Sequence, residues 1–203
     1  MNTSKIDLKK ELKEFYSAKA GKISAVPAAS RWYLCHDGSG NPNTSLLYKS
    51  AVEALFSVSY NLKFTLRAQL GIDYAVMPLE GLWWSENMED FVSAKKDNWQ
   101  WTMMILQPDV ITPERFEEAK LRVQAKRKVD LNGLELRRCA EERSVQTLHV
   151  GPFSEEGTAI AALHEWIQTN GHELTGKHHE IYLSDIRRAA PSAWKTIIRQ
   201  PYR

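Results

Sequence analysis

The chain has only two cysteines in 203 residues, Cys35 and Cys139. Neither sits in the short paired spacing of a zinc site or a redox motif, and so few exclude a disulfide scaffold. Two separate thiols in a reducing compartment are expected. Runs of about 18 apolar residues, long enough to cross a bilayer, are missing too. The stretch Met1–Lys22 carries lysines throughout and no apolar core, so a secretory leader is not expected and the expected location is cytoplasmic. An excess of one charge sign is also lacking: 27 Lys and Arg stand against 25 Asp and Glu, a net charge of +2. That balance offers no field for nucleic acid or an anionic membrane, and neither is expected as a partner. The basic run from Lys120 to Lys128 reads instead as the last turns of a helix, where cations offset the dipole. Metal-ligand spacings are absent. His178 and His179 adjoin on a strand and face opposite ways, so no metal and no cofactor are expected. Cys35-His36-Asp37 has the residue types of a catalytic triad, but triad members converge in space rather than along consecutive positions.

What the chain does have is aromatic surface. There are seven Trp and seven Tyr, with Trp83, Trp84, Trp99 and Trp101 crowded together. Such residues fill a core or line a pocket for a flat ligand.

Hydrophobic periodicity then orders the elements. An amphipathic helix is expected over residues 5–18, followed by an extended segment from Ile23 to Leu34, broken at Pro27. Turn residues fill His36–Pro42. A long helix follows, capped by Asn43 or Thr44 and closed by Gly71. Tyr74–Trp84 reads as a strand bent at Pro78, Ser85–Asn98 as a charged loop, and Trp99–Leu106 as a strand. Thr112-Pro113 opens a helix. Cys139–Val150 reads as one strand, Ser154 as the cap of a helix ending at Asn170-Gly171, and Trp194–Gln200 as the final strand.

Between these last two elements lies His178-His179-Glu180-Ile181-Tyr182-Leu183. With a period of two, Ile181 and Leu183 point to a core while His178, Glu180 and Tyr182 point the other way. A carboxylate between an imidazole and a phenol in mid-strand is costly to bury without a purpose. The two halves of the chain also match. Each runs strand, helix, strand with a glutamate (Glu80 or Glu180), then a hydrophobic strand ending in Gln-Pro. Two strand–helix–strand–strand units with helices on one side make an α+β protein. Glu80 and Glu180, on equivalent strands, are expected to approach one groove.

Those residues carry a resemblance. Val145–Phe153, Trp166–Gly171, His179–Asp185 and Thr196–Pro201 resemble the GyrI-like small-molecule-binding domain. Pro78-Leu79-Glu80-Gly81-Leu82-Trp83 and Trp101–Ile105 resemble its stand-alone branch, which includes the cyclopropanoid cyclopropyl hydrolases. The resemblance implies tandem strand–helix–strand–strand repeats with pseudo-two-fold symmetry and a central cleft. A helical extension over 1–20 would precede one domain over 21–203, with repeats at about 21–130 and 136–203. It also implies that Glu180 is the ligand-facing carboxylate. Phe153 departs from the family, where tyrosine is common after Gly-Pro.

The implied activity is hydrolytic opening of the cyclopropane ring in aromatic toxins, a bacterial detoxification. The alternative is binding without chemistry, as in multidrug binding or sequestration of lipophilic cations. In either case the partner is a small aromatic or lipophilic molecule, and the chain acts as a monomer or weak dimer. Glu180 and Tyr182 are the expected catalytic pair. Glu80, Trp83, Trp84, Trp101, Met103, Tyr33, His149 and His178 are the expected ligand contacts, with about half of the clustered tryptophans turned to the core.

Overall fold

The periodic stretches become ten strands and five α-helices among the described residues of the computed structural model, which are 4–86 and 95–203. Of the charged loop expected at Ser85–Asn98, residues 87–94 lie outside the described ones. The chain divides into two units. Unit 1 comprises Met1–Glu11, Arg31–Met77 and Trp84–Cys139; unit 2 comprises Leu12–Ser30, Pro78–Trp83 and Ala140–Arg203.

In unit 1, β1 (Ser4–Ile6) pairs in parallel with β4 (Ile72–Tyr74). Strand β3 (Ala29–Ser39) pairs antiparallel with β6 (Gln100–Leu106) and has β7 (Leu134–Glu141) on its other side. Helix α3 (Leu46–Leu70) buries Ala51, Leu55, Val58, Leu62 and Leu66, a stripe at helical spacing,. It packs on β4, on β6 and on α4 (Pro113–Lys126). Its cap is Ser45, not Asn43 or Thr44: the Ser45 hydroxyl accepts from the Tyr48 N–H. Gly71 ends it at φ 64°, a left-handed conformation that glycine adopts without a Cβ penalty,. Helix α4 starts as expected, with Thr112 as cap and Pro113 at its first position.

The turn-rich stretch after His36 is a correction. Strand β3 runs on to Ser39 because Gly38 makes room for Trp101: a Cβ there would stand 2.2 Å from the indole. The helix expected over residues 5–18 is replaced by β1 and two single turns, α1 (Leu8–Glu11) in unit 1 and α2 (Lys13–Tyr16) in unit 2.

Unit 2 holds β2 (Ser24–Val26), all but the last residue of β5 (Leu79–Trp84), β8 (Ser144–Val150), β9 (His178–Tyr182) and β10 (Lys195–Pro201). They lie in the order β2-β8-β10-β9-β5, antiparallel at every step. Helix α5 (Gly157–Thr169) packs Leu163 and Ile167 onto Val145, Ile198 and Tyr202. Ser154 does not cap it. A 3-10 turn over Phe153–Glu155 intervenes, and Glu156 takes the cap position, its side chain making no cap hydrogen bond to the helix.

The register fixes the two faces of this sheet, since residues paired across neighbouring strands share a face. One row reads Thr147, Ile198, Glu180, Gly81, and the next reads His149, Thr196, Tyr182, Leu79. These belong to the face that carries α5, because Ile198 packs in its core. The opposite face carries Gln146, Arg199, His179 and Leu82, then Leu148, Ile197, Ile181 and Glu80.

Candidate ligand and active site

Strand β9 turns His178, Glu180 and Tyr182 to one face because side chains alternate along a strand. Directly opposite Glu180, on β5, stands Gly81. Its missing side chain is filled by two others. A Cβ at residue 81 would lie 2.6 Å from Trp83 Nε1 and 2.9 Å from the Tyr182 hydroxyl. In that space the Trp83 indole N–H donates to the Tyr182 oxygen at 3.0 Å. His178 Nε2 lies 3.1 Å from Glu180 Oε1, an imidazole against a carboxylate. The Glu180 side chain keeps 14% exposure, so the carboxylate reaches solvent. Phe153 packs edge-on against Tyr182 at 5.7 Å and tilts on Trp194 at 4.9 Å. One sheet face thus gathers an acid or base, an imidazole, a phenol with a polarising donor, and aromatic walls.

The other face is closed by the segment after α1, which is held through its backbone. Arg199 donates to the Phe15 carbonyl at 2.5 Å and Gln146 to the Glu14 carbonyl at 2.8 Å. Arg199 also grips both oxygens of Glu141 at 3.1 Å. Beside them Glu80 is fully buried. Its Oε1 accepts from the Tyr16 hydroxyl at 2.5 Å and its Oε2 lies 2.9 Å from His179 Nε2. Burial, with the Arg199 guanidinium nearby, holds the His179 imidazole down to about 3,. A neutral His179 therefore donates its Nε2–H to Glu80. Burial and the Glu80 charge push the Tyr16 phenol well above its ordinary value. Glu80, Glu141 and His179 bring ligand atoms within 4.8 Å of one another. A metal ion could use that spacing, but Arg199 already supplies the cation there.

Several expected contacts lie elsewhere. Glu80 does not share a groove with Glu180; it faces the opposite side of the sheet, because its register partner is Ile181. Nor is the Glu180 face free of helices, since α5 lies on it. Trp101, Met103 and Tyr33 belong to unit 1 and are buried in its core. Trp101 meets Tyr48 edge-on at 5.3 Å and donates to the Gly40 carbonyl. Trp84, half-buried in unit 1, donates to Gln100 Oε1 at 3.0 Å. His149 shares the Glu180 face but is tied to the Pro152 carbonyl at 3.0 Å; it lines a separate cavity of about 290 Å³ with Glu155 and Thr158. The sequence reading brought Glu180, Tyr182, His178 and Trp83 together, and it missed Tyr16, Gln146 and Arg199. Only Arg199 left a trace: a charge inside the apolar Thr196–Ile198 strand that asked for a buried partner.

The model of the GyrI-like small-molecule-binding domain matches residues 26–203. The chain belongs to the GyrI-like family. Its α+β architecture, expected from the repeated strand–helix–strand–strand order, is that of the family. Among solved structures, this GyrI-like chain resembles a hydrolase from Listeria innocua, with 38% identity, a TM-score of 0.85, and 98% of this chain and 100% of that chain covered. A second protein, described as an uncharacterized conserved protein of Listeria innocua, is 40% identical at a TM-score of 0.90, with 98% and 100% covered. The C-terminal domain of EcmrR, at 14% identity, a TM-score of 0.52 and coverage of 90% and 96%, shares the fold alone. No curated protein matches the chain.

Proposed function

We propose that this GyrI-like protein is a hydrolase that opens the cyclopropane ring of electrophilic aromatic compounds by adding water. The observation that carries the reading is the convergence of Glu180, Tyr182 and Trp83 around the side-chain-free position 81. The Listeria innocua structure described as a hydrolase supports the enzymatic part. A cyclopropane conjugated to a carbonyl is opened when water attacks a ring carbon. The water oxygen bonds to that carbon, the strained C–C bond breaks, and its electron pair moves to the carbonyl oxygen. Glu180 takes the proton lost by the water. Tyr182 hydrogen-bonds the developing oxyanion, and the hydrogen bond it accepts from Trp83 strengthens its own O–H as a donor. His178 orients the Glu180 carboxylate. Phe153 and Trp194 provide an apolar wall for a flat ring system.

The family description itself names small-molecule binding. It favours a second reading, in which Glu180 is a counter-ion for lipophilic cations and no bond is broken. In the first reading the protein is a cytoplasmic bacterial detoxification enzyme, a monomer or weak dimer. It uses no cofactor in this reading, and the near-balanced charge offers no strong field to draw nucleic acid,.

The test is incubation with a cyclopropane-bearing DNA alkylator followed by mass spectrometry. A product heavier by one water, formed only with active protein, supports the hydrolase. Compound that co-elutes unchanged with the protein supports binding alone.

A further inference from the structure

Cys35 and Cys139 are not isolated. They stand on β3 and β7, neighbouring strands of unit 1, and their sulfurs lie 3.8 Å apart although 104 positions separate them in sequence. We propose that this pair is a redox modification site, a dithiol that closes to a disulfide when a hydroperoxide oxidises Cys139.

The two thiols are unequal, and the inequality assigns their roles. Cys35 is fully buried, whereas Cys139 is half-buried and is the one an oxidant can meet. The neighbouring Cys139 sulfur, and burial after it, push the Cys35 thiol up, so it is the poorer thiolate of the two,. Arg137, two residues before Cys139, brings a guanidinium toward the pair while bound to Asp37 at 2.9 Å. In the first step the Cys139 sulfur attacks the peroxide O–O bond and takes one oxygen, giving a sulfenic acid and releasing water or an alcohol. In the second, the Cys35 sulfur attacks the Cys139 sulfur. The S–O bond breaks, the hydroxyl leaves as water with the Cys35 proton, and the S–S bond forms. Two thiols lose two hydrogens in all, and one peroxide is reduced. The sulfurs are 3.8 Å apart on adjacent strands, so the gap to be closed to the roughly 2 Å of a disulfide is about 2 Å,.

The bond would join β3 to β7 just where the chain passes from unit 1 to unit 2, since Cys139 is the last residue of unit 1. It would close a loop of about a hundred residues, the kind of long loop whose closure most restricts the unfolded chain.

The experiment uses the whole native protein, titrated with hydrogen peroxide, quenched with N-ethylmaleimide and analysed without reductant. The expected result is a mass loss of two hydrogens, no maleimide on either cysteine, a single cross-linked peptide pair containing Cys35 and Cys139, and full reversal by dithiothreitol. Under the same treatment the melting temperature should rise by several degrees, and a Cys35→Ser protein should stop at an oxygenated Cys139. Accumulation of a sulfinic or sulfonic Cys139 with Cys35 still alkylatable would overturn the proposal, as would disulfides only between molecules.

Discussion

Glu80 and Glu180 sit on neighbouring strands of one sheet and point to opposite sides of it. The pairing of Glu80 with Ile181 and of Gly81 with Glu180 decides this. One glutamate is sealed between Tyr16 and His179; the other stays at the edge of solvent beside His178. They therefore answer to different measurements.

Glu180→Gln keeps the shape and one acceptor but cannot take a proton. If Glu180 is the base, ring opening falls by about two to four orders of magnitude. Affinity for a neutral aromatic ligand, read by tryptophan quenching, should stay within about twofold, because stacking supplies it. Turnover within tenfold of the parent would remove Glu180 from the chemistry. A selective loss of affinity for cationic ligands would point to the counter-ion reading.

Gly81→Ala tests the arrangement rather than the base. The added methyl would meet the Trp83 indole and the Tyr182 hydroxyl at under 3 Å, so both rings must move. Activity per folded molecule should drop about tenfold or more, and the melting temperature should fall as well, because the buried Trp83 ring has little room to move aside,. A fully active Gly81→Ala protein would mean that the Trp83–Tyr182 hydrogen bond is irrelevant to function.

The buried pair predicts a stability cost. Tyr16→Phe removes the donor to Glu80 Oε1 and leaves a buried oxygen short of a partner, at about 1–3 kcal/mol. Urea unfolding should show the loss, and turnover per folded molecule should be unchanged, because Tyr16 lies on the other side of the sheet. An unshifted midpoint would show that Glu80 gains nothing from the phenol.

Much of this was legible in the sequence, and the failures have physical causes. Period-two alternation placed His178, Glu180 and Tyr182 together because alternate residues of β9 share one face. The same reasoning failed on β6, where Trp101 to Leu106 are all buried. With both faces covered, alternation says nothing about which side a residue serves. Glu80 was misplaced by the assumption that matched strands have matched parity. Register across β5 and β9 is a tertiary fact, and a one-residue offset turns every side chain over. Tyr16 and Cys139 were out of reach for the same reason, since their partners lie 64 and 104 positions away.

His179 predicts how the fold responds to acid. Its native value of about 3 is below the ordinary imidazole value of about 6.5,. The unfolded chain therefore takes up a proton that the native protein refuses. Stability from the neutral imidazole is fully present above about pH 6.5 and drains as the pH falls toward about 3, at up to about 1.4 kcal/mol per pH unit. Urea midpoints from about pH 7 to about pH 4 should fall more steeply for the parent than for His179→Gln. Parallel slopes would exclude His179 as the source.

The segment over Glu14 to Lys19 is held by its carbonyls: those of Glu14, Phe15 and Ser17 accept from Arg199 and Gln146, and that of Lys19 from Thr147. Carbonyls are common to every amino acid. Positions 14, 17 and 19 can thus be rewritten almost freely without loosening the grip. Insertion or deletion of a single residue between Leu12 and Lys19, by contrast, slides each acceptor off its donor and carries Tyr16 away from Glu80. At positions 14, 17 and 19 the chain is blind to spelling, and over the whole segment it is strict about length.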